Sequence, residues 1–424
     1  MDESGDSITY EPGWLYKFLL ICHLLGNSAS KIRLDYEFSC FSDQDWEEFC
    51  FISRVHSVTE LLYPQIKVIH TEGFIPEEVL ERFKQFVYSS ASKNSWLLKS
   101  GKEVVEKLLD NGIETLALKG FFLQQSVYAD DEIRPMNDID LLVRREDIPK
   151  AVEILNNIGF RMESHFDPEL RNEDIKHVPP MWNDLGQLIE LHWNLLEENE
   201  PFDIDMDQVW AQKTCFADKL WGLSVEHLIV HLAIHGVYQH YLRLGLRSLL
   251  DLTRVIEKYS EKIQWDLVAS TARNWDTEKS LWLSLKLAER YLSVALPEEF
   301  ILSLEPTNHA DMFERASKFT ESLKPIRTVL STDLIELSKE KNVGSRFGRI
   351  LKRIFIPKYQ LARLYNIDPQ SLRIYPAYFR RIKDLSMQYQ KTIRKIEVQS
   401  ESISDDVSLY EEQIAIHNWL ELND

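Results

Sequence analysis

The sequence predicts an α+β fold in which a small mixed sheet is flanked by N-terminal and C-terminal helical regions. Between about residues 101 and 200, short apolar runs alternate with helical segments that stop at Gly112 and Gly159, the rhythm of strands linked by helices. On either side, apolar residues recur with a helical period and strand-like runs are scarce. The chain has 424 residues, beyond the roughly 250–300 at which a single core stops growing. Four parts are therefore expected: a helical region over 1–100, the sheet core over 101–200, a helical domain over 201–340, and a basic helical segment with an acidic tail over 341–424.

Each element has a local reason. The apolar stretch 14–25 is interrupted by Lys17 and His23 and reads as a buried helix, since a membrane span needs about 20 predominantly apolar residues. Residues 43–62 repeat large apolar side chains at helical spacing behind Ser42, a favourable cap. Pro76 followed by Glu77 and Glu78 suits another helix start, with the acids at the positive dipole end. In the centre, a helix over 103–110 ends at Asn111-Gly112, and 113–118 reads as a buried strand. Gly120 opens a helix to 128, and the strand 139–143 precedes a helix over 148–158. Gly159 then stops that helix before strands over 160–163 and 187–194, which are joined by a long loop over 166–184. Beyond Ser224, helices are expected over 226–241, 247–259 and 281–294.

Charge narrows the partners. Against 68 Asp and Glu stand 49 Lys and Arg, a net −19, which excludes a chain that coats polyanions over its whole surface. No stable nucleic-acid binding and no transmembrane segment are expected. Residues 341–395 hold 14 Lys or Arg against Asp368 and Asp384, whereas 397–424 hold eight acids and no Lys or Arg, so the basic stretch reads as a partner for the protein's own acidic body. The cysteines at 22, 40, 50 and 215 form no Cys-x-x-Cys pair and read as reduced thiols rather than zinc ligands. With an acidic rather than basic start to the chain, a cytoplasmic location is expected.

The chemistry concentrates in three short stretches: Leu118-Lys119-Gly120, Asp138-Ile139-Asp140, and Glu190-Leu191-His192-Trp193. On a strand, Asp138 and Asp140 project to one face about 6–7 Å apart, a spacing that lets two carboxylates share divalent ions with phosphate oxygens. Glu190 on another strand could complete the set. Gly120, at a strand-to-helix junction, lets a phosphate approach a positive helix end. His192 shares a strand face with Glu190 and can ligate metal, orient a carboxylate, act as a base, or simply pack beside Trp193. His177 could cover the site from its loop. His231 and His235 have a zinc-compatible spacing without a third ligand and are read as packing or substrate contacts. Arg247 and Asp251, four apart, read as a helix ion pair.

These residues resemble the nucleotidyltransferase superfamily related to DNA polymerase beta, whose pattern is a strand, a Gly opening a helix, an Asp-x-Asp strand and a third carboxylate. More narrowly, the chain looks like an uncharacterised nucleotidyltransferase family of bacteria, through the stretches above with Tyr128, Arg134, Gly159-Phe160, His177, Pro179-Pro180, the His231 and His235 helix, and Arg247 with Asp251. The resemblance spans roughly residues 40 to 260. It implies Mg²⁺-dependent transfer, with Mn²⁺ as an alternative ion, of a nucleoside monophosphate from an NTP, expected to be ATP, with release of pyrophosphate. The acceptor is a small molecule, peptide or protein.

By the same resemblance, Asp138, Asp140 and Glu190 are the catalytic metal ligands, while Lys119, Gly120, Arg134 and His192 contact the nucleotide, Arg134 in bidentate fashion. Two features depart from the pattern. Phe121 follows Gly120 where Ser or Gly is usual, and 17 residues separate Gly120 from Asp138. Two alternatives stay open: a catalytically degenerate NTP-binding scaffold in a biosynthetic complex, or a metal-dependent phosphohydrolase.

Overall fold

The computed structural model of the chain describes residues 13–26, 38–162, 176–197, 200–217, 219–307, 309–322, 356, 358–365, 367, 371–398 and 400–421. Four helices come first: α1 (Trp14–Leu25), α2 (Asp43–Val55), α3 (Thr59–Thr71) and α4 (Glu77–Asp110). In α1, Lys17 breaks the apolar stretch with a charge that is paired inside the protein. Its buried ammonium reaches Asp45 Oδ1 at 2.6 Å and Glu48 Oε2 at 2.7 Å, tying α1 to α2. Ser42 caps α2 in a reciprocal capping box: its Oγ accepts from Asp45 N while Asp45 Oδ2 accepts from Ser42 N at 2.9 Å.

The single helix expected over 43–62 is two helices. Ser57 takes a left-handed φ of 54° and turns the chain, leaving His56 buried, where its Nδ1 accepts from Leu246 N at 3.3 Å. The opposite correction applies to the next stretch, where the helices expected after Pro76 and over 103–110 are one helix of 34 residues. The boundary expected at residue 100 therefore falls inside α4. Gly101 does not stop it, because its missing side chain makes room for the Phe121 ring.

The central sheet is built from β1 (Leu116–Ala117), β2 (Ile139–Leu142), β3 (Arg161–Met162), β4 (Met181–Trp182) and β5 (Leu188–His192), in the order β1-β2-β5-β4-β3. It is mixed, as predicted: β2 and β5 run parallel and the other neighbours antiparallel. The parallel pair sets Asp140 opposite Glu190 and Leu142 opposite His192. Two helices belong to this core, α5 (Lys119–Ser126) and α6 (Ile148–Asn157), and Gly159 ends the second at φ 98°. Several strands are shorter than expected: 113–118 yields only β1, and the expected strand 160–163 yields β3, with residue 163 outside the described residues. Part of the loop expected over 166–184 also lies outside them.

The remaining chain is mostly helical. After α7 (Met206–Ala211), a hairpin that periodicity did not signal, β6 (Thr214–Ala217) and β7 (Leu220–Gly222), leads to α8 (Val225–Ile234). Ser224 caps α8 by accepting from His227 N at 3.2 Å. The helix expected to reach 241 instead widens into a π turn at His235–Gln239, followed by left-handed Tyr241 and Leu242. Then come α9 (Leu246–Tyr259), α10 (Trp265–Asn274), α11 (Glu278–Leu292), α12 (Glu298–Ser303) and α13 (His309–Glu321).

The basic and acidic ends form α14 (Lys358–Tyr365), α15 (Ile374–Val398) and α16 (Ser400–Glu421). Residues 341–355 of the basic stretch lie outside the described residues. Where it is described, Arg380 is exposed, with its guanidinium over the Tyr365 ring. The end of α16 packs on the helical body: Trp419 and Leu420 are buried, Glu412 pairs with Arg315 at 2.6 Å, and Glu421 accepts from Tyr238 at 2.8 Å. One continuous set of buried apolar residues runs from α1 through the sheet to α16. Among the described residues, no helix is long and apolar enough to cross a membrane.

Candidate active site

The parallel pairing of β2 and β5 brings two acids side by side. Asp140 is buried, and its Oδ1 accepts from Lys119 Nζ at 2.7 Å and from His192 Nε2 at 3.0 Å. Glu190 Oε2 lies 3.8 Å from the same Lys119 nitrogen and 3.5 Å from His192 Nε2. One donor atom each from Asp140, Glu190 and His192 falls within 4.8 Å of the others. Lys119 opens α5 just after Leu118 N has bonded to Asp140 O at 3.0 Å. It does so at φ 43°, a left-handed conformation that costs a non-glycine residue roughly 1–2 kcal/mol, and its ammonium meets both carboxylates.

The charges respond accordingly. Burial works to raise Asp140, but Lys119 and His192 outweigh it and hold the carboxyl well below the usual range. Burial likewise works to lower Lys119, and Asp140 with Glu190 reverse the sign. The His192 hydrogen bond lowers Glu190 against its own burial. Asp138, half-buried just before β2, is pushed up to about 6, first by burial and then by the Asp140 charge. Three carboxylates thus share one ammonium, which leaves negative charge for a further cation to offset.

Two residues expected to grip phosphate are otherwise engaged. Arg134 is buried and donates from Nε to Asp251 Oδ1 and from Nη2 to Asp251 Oδ2, both at 2.7 Å, so its fork is taken by a carboxylate. Tyr128 completes the arrangement by donating to Asp251 Oδ1 at 2.6 Å. The space in front of Gly120 is filled by the same guanidinium: a Cβ there would lie 2.6 Å from Arg134 Nη1. Gly120 admits an arginine where a phosphate was expected. Asp251 therefore serves Arg134 and Tyr128, and the expected Arg247–Asp251 helix pair gives way to this longer-range tie. Phe121 is also accounted for: its ring is buried against Gly101 and locks α5 onto α4.

For a divalent ion, the donor set fits. Asp140 and Glu190 supply hard oxygens of the kind Mg²⁺ and Mn²⁺ take and form with His192 the group whose donor atoms lie together, which Asp138 adjoins without belonging to it. The Lys119 ammonium stands between the two carboxylates as a built-in cation. His192 adds a nitrogen, which suits Mn²⁺ better than Mg²⁺. Around this centre lies a group of imidazoles. The His177 ring centre is 5.1 Å from that of His192, His231 is 6.0 Å from His235, and His235 is 4.4 Å from His240. Burial, helped by Lys119, holds His231 down to about 3, so it is a neutral wall rather than a charged one.

A family model described as an uncharacterised nucleotidyltransferase matches residues 42–293, more than half of the chain. The chain belongs to that nucleotidyltransferase family. No curated protein matches it. The nucleotidyltransferase match runs from the cap of α2 to the end of α11 and contains every residue of the site.

Sequence reasoning brought Asp140, Glu190 and His192 to one face of the sheet but missed the partner of Asp251, because 117 residues separate it from Arg134. A signal was present. Asp251 sits among Leu249, Leu250, Leu252 and Val255, all buried, and an acid on an apolar helix face requires a buried cation somewhere in the chain.

Proposed function

We propose that the protein is a metal-dependent nucleotidyltransferase that moves a nucleoside monophosphate from an NTP, ATP being the favoured donor, to the hydroxyl of an acceptor. The observation that carries this reading is the register of β2 and β5, which sets Asp140 beside Glu190 with Asp138 adjoining. In the reaction, the acceptor oxygen bonds to the α-phosphorus while the bond to the bridging β-oxygen breaks. Pyrophosphate leaves and the hydroxyl proton is lost to solvent. Asp138, Asp140 and Glu190 would hold Mg²⁺ or Mn²⁺, which neutralises phosphate charge and lowers the pKa of the acceptor hydroxyl. Lys119 keeps the two strand carboxylates ionised and close. His192, hydrogen-bonded to Asp140, orients that carboxylate. Arg134 becomes a positioning residue that supports the Gly120 turn through Asp251.

One observation favours a second reading, a nucleotide-binding scaffold without turnover: Lys119 already sits between the carboxylates that metal would need. Incubation with α-labelled NTPs, Mg²⁺ or Mn²⁺ and cell extract separates the readings. Label on an acceptor with pyrophosphate release supports transfer, inorganic phosphate indicates a hydrolase, and nucleotide binding without either product indicates the scaffold.

A further inference from the structure

With Arg134 bonded to Asp251 and filling the space in front of Gly120, a polyphosphate needs other cations, and two lie near the carboxylates. Arg247, at the start of α9, makes no ion pair or side-chain hydrogen bond among the described residues. Its Nε is buried without a partner, and its backbone N–H is anchored on His56 O at 3.3 Å. Lys176, just before His177, also has no ion pair among the described residues, and its backbone carbonyl accepts from Trp193 N at 2.9 Å, which fixes it beside the end of β5. Both cations lie within electrostatic reach of His240. Glu200, Glu197 and Glu190 are within reach of Lys176, and Asp251 and Asp138 within reach of Arg247, without an ion pair formed to either cation among the described residues. His240 itself is open to solvent, its ring centre 4.4 Å from that of His235, and burial holds it down to about 4. Burial also lowers both Arg247 and Lys176.

A guanidinium nitrogen buried without a hydrogen-bond partner is costly, and a cation so placed beside a group of carboxylates is a candidate for a charged ligand. We infer that Arg247, His240 and Lys176 form an anion subsite facing the carboxylates, and that it holds the polyphosphate of the nucleotide and then the departing pyrophosphate. The inference rests on the nucleotidyltransferase reading for the identity of the anion. In this arrangement the carboxylates face the reacting α-phosphate from one side while the cations draw the β- and γ-phosphates to the other. A pyrophosphate leaving group accumulates charge as the bond breaks, and fixed donors aimed at that charge assist its departure.

The test is calorimetric titration of the full chain with Mg²⁺ and three probes: ATP, inorganic pyrophosphate and adenosine. Arg247→Met should weaken ATP and pyrophosphate by about ten- to a hundredfold, the range for losing a charge-assisted hydrogen bond, and leave adenosine unchanged. Arg247→Lys should recover part of the loss. Lys176→Gln, in an irregular segment outside any helix, gives the same readout if the α9 variant fails to fold. Undiminished ATP and pyrophosphate binding by Arg247→Met or, where that variant does not fold, by Lys176→Gln overturns the subsite and leaves the transferase reading intact. Pyrophosphate binding that these variants lose, in a protein that takes no nucleotide, keeps the anion subsite and removes the transferase reading. A wild type that binds neither overturns both.

Discussion

Lys119 Nζ lies 2.7 Å from Asp140 Oδ1 and 3.8 Å from Glu190 Oε2, so a side chain of the protein occupies the space between strands where a bound cation would be shared. Lys119→Met should therefore act in two directions. Without divalent ions, the variant loses about 3 kcal/mol of stability, as expected when one partner of a buried pair is removed. With Mn²⁺, its thermal midpoint should climb further than that of the wild type, because nothing competes for the acids. Equal gains for both proteins would mean that Lys119 does not compete with metal, and no gain in either that the carboxylates do not take it.

Asp140→Asn should abolish NTP turnover, by at least about a hundredfold, since it removes an anionic ligand where charge neutralisation dominates the chemistry. It should also lower stability. Repulsion among clustered acids alone would suggest the opposite, but Asp140 is the closest counter-charge of Lys119 and accepts from His192. Turnover and the midpoint of urea unfolding, measured on the same preparation, check both halves.

Gly120→Ala should cost about 1–3 kcal/mol, the usual range for overpacking, because the added methyl lies 2.6 Å from Arg134 Nη1 and the guanidinium is pinned by Asp251. Gly13→Ala, which meets nothing within 4 Å, serves as the steric control and should cost no more than the change of an N-cap residue, about 0.5–1 kcal/mol. A similar small effect at both positions would mean that Arg134 moves aside freely.

Acid sensitivity should be visible in the unfolding free energy. His227 is fully buried, stacked on Trp275 with ring centres 5.2 Å apart, and burial holds it down to about 4. Its unfolded counterpart titrates near 6.5. Between these values the unfolded chain binds a proton that the folded chain refuses, so stability falls as pH drops through that window. His227→Phe keeps a stacked ring without the proton site and should reduce the loss between pH 7.5 and 5 by about 1–2 kcal/mol. Denaturant titrations of both proteins at the two pH values give the comparison, and parallel losses would refute it.

Local signals in the sequence proved reliable where the cause was itself local. Ser42 caps α2, Pro76 immediately precedes α4, Gly159 ends α6, and the two strands carrying Asp140 and Glu190 share one face. What escaped reading depended on the rest of the chain. Ser57 breaks a periodic helix because His56 must meet the start of α9. Gly101 stays helical because Phe121 fills its groove, and Arg134 turns from phosphate to Asp251 because α9 delivers a buried acid. No pattern within a few residues encodes such meetings. The four-part division rests on composition alone, and the Arg134–Asp251 contact crosses one of its boundaries.

That contact bears on how this protein could be dissected or recombined. The sheet carries the acids, yet the arginine supporting its Gly120 turn is neutralised from a helix that follows in the sequence, and Tyr128 leans on the same oxygen. A fragment ending near residue 200 would keep the Asp-x-Asp strand and strand a guanidinium in an apolar interior. Grafting the sheet onto another scaffold would fail for the same reason. Transplantation must carry the chain at least through α9, and a sequence search for shortened relatives should find Arg134 and Asp251 lost together or kept together.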